Sequence, residues 1–110
     1  MTFDVSIERG TSGLAVVRVL GEVDLDTSPR LLGNLQDALR GGAGVVVDLA
    51  GVGYIDSSGV ATLIQGLKLA GKTKARFALR DPSPRVRGVL ELSRLTDLFE
   101  IEGAGGPTGG

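Results

Sequence analysis

Apolar and polar residues alternate strictly at the start of the chain. Phe3, Val5 and Ile7 oppose Asp4 and Ser6, which predicts a strand with one buried face. Gly10 and Gly13 mark a turn, and the mostly apolar run Leu14 to Leu20 predicts a second, central strand. The short link between the two predicts an antiparallel hairpin. Gly21 to Asp26 (GEVDLD) reads as a loop. Thr27 or Ser28 then caps a helix that has Pro29 at its first position. Leu31, Leu32, Leu35, Ala38 and Leu39 follow at helical spacing until Gly41 and Gly42 stop the helix. The run Gly44 to Leu49 (GVVVDL) has the unbroken β-branched character of a buried parallel strand, and Ala50 to Asp56 reads as the loop after it.

Val60, Leu63, Ile64 and Leu67 repeat at i, i+3, i+4 and i+7, which predicts a second helix from near Ser57 to Gly71. Ala75 to Leu79 reads as a fourth strand. Asp81-Pro82-Ser83-Pro84 reads as a turn and helix start, and Val86, Val89 and Leu90 share one face of the helix that follows. Leu92 falls off that face and is expected in solvent. Leu98 to Ile101 reads as a short last strand. The order β-β-α-β-α-β-α-β predicts an α/β fold: a mixed, largely parallel sheet with helices packed on it through right-handed crossovers. Residues 103–110 (GAGGPTGG) carry almost no core-forming side chain and are expected to be a disordered tail on a domain spanning 1–102.

Composition narrows the function classes. The 110 residues support one domain, and a 4% aromatic fraction makes its core aliphatic. There is no His and no Cys, so a Ser-His-Asp triad, an imidazole base, a thiolate nucleophile, a disulfide and an ordinary zinc site are excluded. One Tyr, three Phe and no Trp make no platform for stacking bases, and a net charge of −1 makes no field to attract nucleic acid. No apolar run approaches the length of a membrane span, so no membrane insertion is expected. The N-terminal MTFDVSIERG is no signal peptide, and the expected location is cytoplasmic.

Three segments are candidates for chemistry. Gly42-Ala43-Gly44 closes a helix and precedes a strand, the reverse of a dinucleotide fingerprint, so it reads as a helix stop; no Walker-type motif is present. Asp24-Leu25-Asp26-Thr27 follows a strand and suggests a magnesium-dependent phosphotransferase with an aspartyl nucleophile. The Thr comes one residue early for that spacing, and the plainer reading makes Asp26 or Thr27 a helix cap. The densest signal is Asp56-Ser57-Ser58-Gly59, at the end of a buried strand and the start of an amphipathic helix. Capping explains one of these polar residues. It explains neither two adjacent hydroxyls nor Gly59 in the first turn, where glycine costs about 1 kcal/mol against Ala. A serine without a base is a poor nucleophile. At a helix N-terminus it is a good phosphoacceptor, with free amides and the helix dipole to receive the phosphate.

The sequence resembles the anti-sigma factor antagonists, single-domain proteins of the STAS class, over essentially residues 3 to 101. The resemblance rests on Gly21-Glu22-Val23-Asp24, on Val47-Asp48-Leu49, on Tyr54-Ile55-Asp56-Ser57-Ser58-Gly59, on a turn at Gly71, and on a helix from Pro84 to Leu95 ending before Leu98-Phe99. It implies a STAS-like fold and a protein that is not an enzyme and carries no cofactor or metal of its own. It implies that the unphosphorylated form binds an anti-sigma factor that is itself a serine kinase, which frees a sigma factor. The kinase then phosphorylates Ser57 and the complex parts, and a metal-dependent serine phosphatase restores the first state. The resemblance assigns Ser57 as phosphoacceptor, matches Asp24 to the family's loop aspartate and completes the motif with Asp56, Ser58 and Gly59; the neighbouring Asp26 and Thr27 are expected on the same switch surface. The glycine-rich tail is no part of the family pattern. Similar domains also serve in stressosomes and as transport-accessory subunits, so the alternative is a constitutive scaffold without a phospho-switch.

Overall fold

A computed structural model describes residues 3–103. The expected disordered tail therefore lies outside the described residues, except for Gly103. Five strands and three helices follow the expected order: β1 (Phe3–Arg9), β2 (Leu14–Val23), α1 (Ser28–Leu39), β3 (Gly44–Ile55), α2 (Ser57–Lys72), β4 (Arg76–Arg80), α3 (Pro84–Leu92) and β5 (Glu100–Glu102). The sheet order is β1-β2-β3-β4-β5, with β1 antiparallel to β2 and every later pair parallel. From β2 onward each crossover advances one place in the same direction. Right-handed crossovers then put all three helices on one face of the sheet.

The core agrees with that placement. Val17 and Val19 of β2, Val45, Val47 and Leu49 of β3, and Phe77 and Leu79 of β4 form one buried cluster with helix residues such as Leu31, Leu35, Leu63, Val86 and Leu90. The alternate strand positions face the other way and are charged at the flanks. Arg18 bonds Glu8 at 2.6 Å and lies 3.6 Å from Asp48; Arg76 reaches Glu100 at 2.5 Å and Glu102 at 2.7 Å; Arg80 meets Glu102 at 3.0 Å. Val46 and Ala78, paired with each other, fill the centre of this second face and are fully buried. That is why the β3 sequence shows no alternation although helices cover only one side.

Gly44 needs its glycine. Its φ is +153°, and a Cβ there would run into the backbone of Arg76, its partner on β4.

The ion pairs tie the three-residue β5 to the sheet. The hydrogen bond from Arg76 holds the Glu100 carboxyl below the ordinary carboxylate value of 4.5, and the bond from Arg80, then that from Arg76, does the same for Glu102. A lowered folded-state pKa stabilises above the unfolded value, and that contribution is lost as pH falls through the folded one. Because these side chains are partly exposed, each pair is worth less than about 1 kcal/mol. Stability measured against pH is expected to decline below about pH 4.5, and Glu102→Gln should flatten that decline.

Several element ends differ from the sequence expectation. β2 runs on through Gly21 to Val23, and β3 runs through the supposed loop Ala50–Ile55. The two strands pair with each other to Val23↔Ile55, with register shifts between Arg18 and Leu20 and between Gly21 and Glu22. β4 accompanies β3 only along Gly44 to Asp48. Past that point β3 pairs with one strand only, the Ser83 hydroxyl donating to Val52 O at 2.6 Å, so glycines are tolerated and the segment imitates a loop. Gly71 does not end α2, which continues to Lys72; the left-handed position is Lys74, at φ 59°. Helix α3 stops at Leu92 instead of Leu95, and β5 begins at Glu100, two residues after the expected start. Leu92 is 89% exposed, as its position off the apolar stripe implies.

Candidate functional site

The pair Val23↔Ile55 ends both extended strands together, and the amide of Asp56 donates to Val23 O at 3.1 Å. Asp24 and Asp56, the residues that follow each strand, therefore sit side by side at the carboxyl edge of the sheet. Both α1 and α2 begin at this edge. Open α/β sheets place their functional loops here.

Asp56 is the N-cap of α2. Its Oδ1 accepts the amides of Ser58 at 2.9 Å and Gly59 at 3.1 Å, and its carbonyl accepts the first helical bond, from Val60, at 3.0 Å. The capping role thus falls entirely to the aspartate. Neither serine hydroxyl makes a hydrogen bond to a described residue. Ser57 is exposed at the first helical position and Ser58 is half-buried behind it. This corrects one expectation about the phosphate. The amides of the second and third helical residues are already occupied by a carboxylate and do not form an open cradle. A phosphate on Ser57 would meet the dipole end of the helix together with the Asp56 charge. Asp56→Ala is expected to cost about 1 kcal/mol through loss of the cap, read from chemical unfolding, while Asp56→Asn should cost less.

The β2–α1 loop is closed by Asp24, which corrects the reading of Asp26 or Thr27 as a side-chain cap. Thr27 occupies the N-cap position of α1, but its hydroxyl accepts no helical amide. Instead Asp24 Oδ1 accepts the amides of Asp26 and Thr27, each at 3.0 Å, and lies 3.2 Å from Thr27 Oγ1. The Thr27 hydroxyl accepts the Asp24 amide at 2.9 Å and donates to Glu22 O at 2.9 Å. The loop is a tight Asx-type turn. Asp26 projects into solvent. Ser28 behind it is buried, and its hydroxyl has no partner among the described residues. One Asp24 oxygen is committed to the turn, and among the described residues no group of three metal-ligating side chains is present.

Gly59 is explained by packing. A Cβ there would stand 2.6 Å from Ile55 Cγ1, 2.7 Å from Val23 Cγ1 and 3.0 Å from Val23 O. The glycine lets α2 lie directly on the ends of both strands. It positions Ser57 without belonging to the exposed surface.

Two exposed apolar residues at this edge were not singled out from sequence. Leu25 is 73% exposed beside Asp24, and Tyr54 is 41% exposed, paired with Glu22 on the adjoining strand. The available signal was a leucine between two aspartates in a polar loop. The segments 21–28 and 52–60 contain no Lys or Arg. The next cation along α1, Arg30, lies 5.0 Å over the Phe3 ring. The edge is therefore acidic, with exposed apolar contacts and an uncommitted hydroxyl. That arrangement suits a regulated binding surface better than a catalytic centre.

Among the described residues no helix is long and apolar enough to cross a membrane. The family model described as "Mlab, STAS domain" matches residues 8–100. The anti-sigma-B factor antagonist of Listeria monocytogenes is 25% identical over 111 residues, covering 100% of this chain and 97% of that protein. The anti-sigma F factor antagonist of Paenibacillus polymyxa is 29% identical over 91 residues, covering 81% and 78%. The crystal structure of an anti-sigma factor antagonist from Mycobacterium paratuberculosis superposes with a TM-score of 0.81 at 26% identity, covering 91% of this chain and 85% of that one.

Proposed function

The chain belongs to the STAS domain family, and from that premise we propose that it is an anti-sigma factor antagonist switched by phosphorylation of Ser57. The unphosphorylated form binds an anti-sigma factor that is a serine kinase, which releases a sigma factor. Transfer of the ATP γ-phosphoryl group to Ser57 Oγ, with loss of the hydroxyl proton, ends the interaction. A serine phosphatase reverses it. The protein acts as a binding partner in the cytoplasm, and the phosphoryl chemistry belongs to the kinase. Residues 1–102 form the domain that does this, and 103–110 are a tail outside it.

The observation that carries this reading is the division of labour at α2. Asp56 alone caps the helix, and an exposed Ser57 hydroxyl is left with no structural task. The relatives named as anti-sigma factor antagonists support the antagonist part of this reading. Asp24, Asp26, Thr27, Asp56 and Ser58 shape the surface around the hydroxyl, and Gly59 seats the helix. A phosphate brings about −1.5 to −2 charges to an edge that already holds three aspartates. A docked partner then meets repulsion with no refolding of the domain. The test is incubation with the cognate kinase and ATP, followed by mass spectrometry of the peptide containing Ser57 and Ser58. Phosphate on Ser57 is expected, and its absence from both serines would overturn the switch.

A further inference from the structure

The outer surface of α1 and α2 carries one continuous groove. Its widest part, about 550 Å³, lies between the first halves of the two helices, beginning at Leu25 and Ser58. It continues through Gln65 and Lys68 to Leu69 and Lys72, and ends near Arg40. Successive sections share Leu32, Lys68 and Leu69, so the whole runs the length of α1, about 18 Å. The floor is apolar, from Leu32, Ile64 and Leu69, each half-buried with no further element over it.

Every charged residue lining this groove is a cation: Lys68, Lys72 and Arg40. Arg40 is paired with Asp37 at 3.2 Å, whereas Lys68 and Lys72 are exposed and form no ion pair with a described residue. Helix α2 contains no acidic residue, so nothing on that helix offsets Lys68 and Lys72. A groove between two packed helices accepts a third by the same ridge-and-groove fit that joins the pair. The chain's own segments do not suit it. Helix α1 has one carboxylate, α2 has none, α3 has one among two arginines, and residues 104–110 carry no large apolar side chain.

We propose that the α1–α2 groove is the docking site for an amphipathic helix of a partner protein, with apolar residues on one face and carboxylates flanking it to meet Lys68 and Lys72. Its mouth adjoins Ser58, the neighbour of Ser57. A negative charge on Ser57 therefore opposes an acidic helix at the point where the groove opens. This coupling rests on the assignment of Ser57 as phosphoacceptor; the groove itself does not.

The probe is a 14-residue labelled helical peptide with Leu at i, i+3, i+4, i+7 and Glu at the flanking positions, added to the full chain. Fluorescence anisotropy gives the affinity, and amide chemical shifts locate the contact. Binding is expected with shifts confined to α1, α2 and the Leu25 loop. Lys68→Glu with Lys72→Glu should weaken it at least tenfold, and should restore binding to the same peptide carrying Lys in place of Glu. Circular dichroism of the double variant checks that it remains folded. Absent shifts in the groove, or equal affinity of wild type for the Glu and Lys peptides, would overturn the proposal. Ser57→Asp should weaken the Glu peptide several-fold. If only that last effect is missing, the coupling to Ser57 fails and the groove stands. If the kinase leaves Ser57 unmodified while the peptide still binds in the groove, the proposed switch fails separately.

Discussion

Ser57→Asp is expected to weaken binding of the anti-sigma kinase by about ten- to a hundredfold, equivalent to about 1.4–2.7 kcal/mol. Ser57→Ala is expected to bind as the wild type does and to resist release by ATP. Both follow from the position of the residue. Ser57 is exposed at the first turn of α2, and its hydroxyl bonds to nothing described. Neither change disturbs the fold, so unfolding free energies should stay within about 0.5 kcal/mol of wild type, with Asp favoured slightly at the positive end of the helix. The effect on binding arises from an added charge next to Asp56, Asp24 and Asp26 with no Lys or Arg in either segment to offset it. Placing like charges against a partner surface costs several kcal/mol when they are desolvated and less at a wet rim. Titration calorimetry at two salt concentrations is the measurement. The loss caused by Asp should shrink as salt rises, because exposed charges are screened. An affinity indifferent to Ser57→Asp would assign the domain instead to constitutive scaffolding.

Much of this was legible in the chain. The alternation at Phe3–Ile7, the β-branched run at Val45–Val47 and the stripe from Val60 to Leu67 sufficed for the element order and the α/β class. Each reflects burial against neighbours that is periodic in sequence. The Asp-Ser-Ser-Gly segment was legible as a helix start carrying more hydroxyls than capping requires. What the sequence concealed depends on contacts between distant residues. The continuation of β3 through Ala50–Ile55 depends on pairing with the end of β2, and its glycines disguise it. The choice of Asp24 over Thr27 as organiser of the α1 entry depends on an Asx turn in which the threonine hydroxyl is turned back to Glu22 O. The groove on α1 and α2 depends on which residues of two separate helices share an outer face.

Gly59 is where motif and packing meet, and it gives an expected reversal of sign. Gly→Ala inside a helix normally gains about 0.5–1 kcal/mol, because alanine leaves the unfolded chain less freedom. Gly33, in the middle of α1, has no heavy atom within 4 Å of the position its Cβ would take, so Gly33→Ala should stabilise by that amount. At Gly59 the same methyl would stand 2.6 Å from Ile55 Cγ1 and 2.7 Å from Val23 Cγ1. Neither neighbour can yield easily, since Ile55 and Val23 are themselves buried and the Val23 carbonyl holds the Asp56 amide. Overpacking of this kind costs about 1–3 kcal/mol, which outweighs the propensity gain. Gly59→Ala should therefore destabilise by about 1–2 kcal/mol, a fall of roughly 4–15 °C in melting temperature for a domain of this size. Calorimetry of the two variants side by side tests the packing account, and stabilisation by both would sink it. Gly59→Ala should also slow phosphorylation at Ser57, because α2 must shift outward from Val23 and Ile55 and carry the serine with it. The buried glycine stands two residues after the exposed Ser57, and the close seat it gives the helix fixes where that hydroxyl stands.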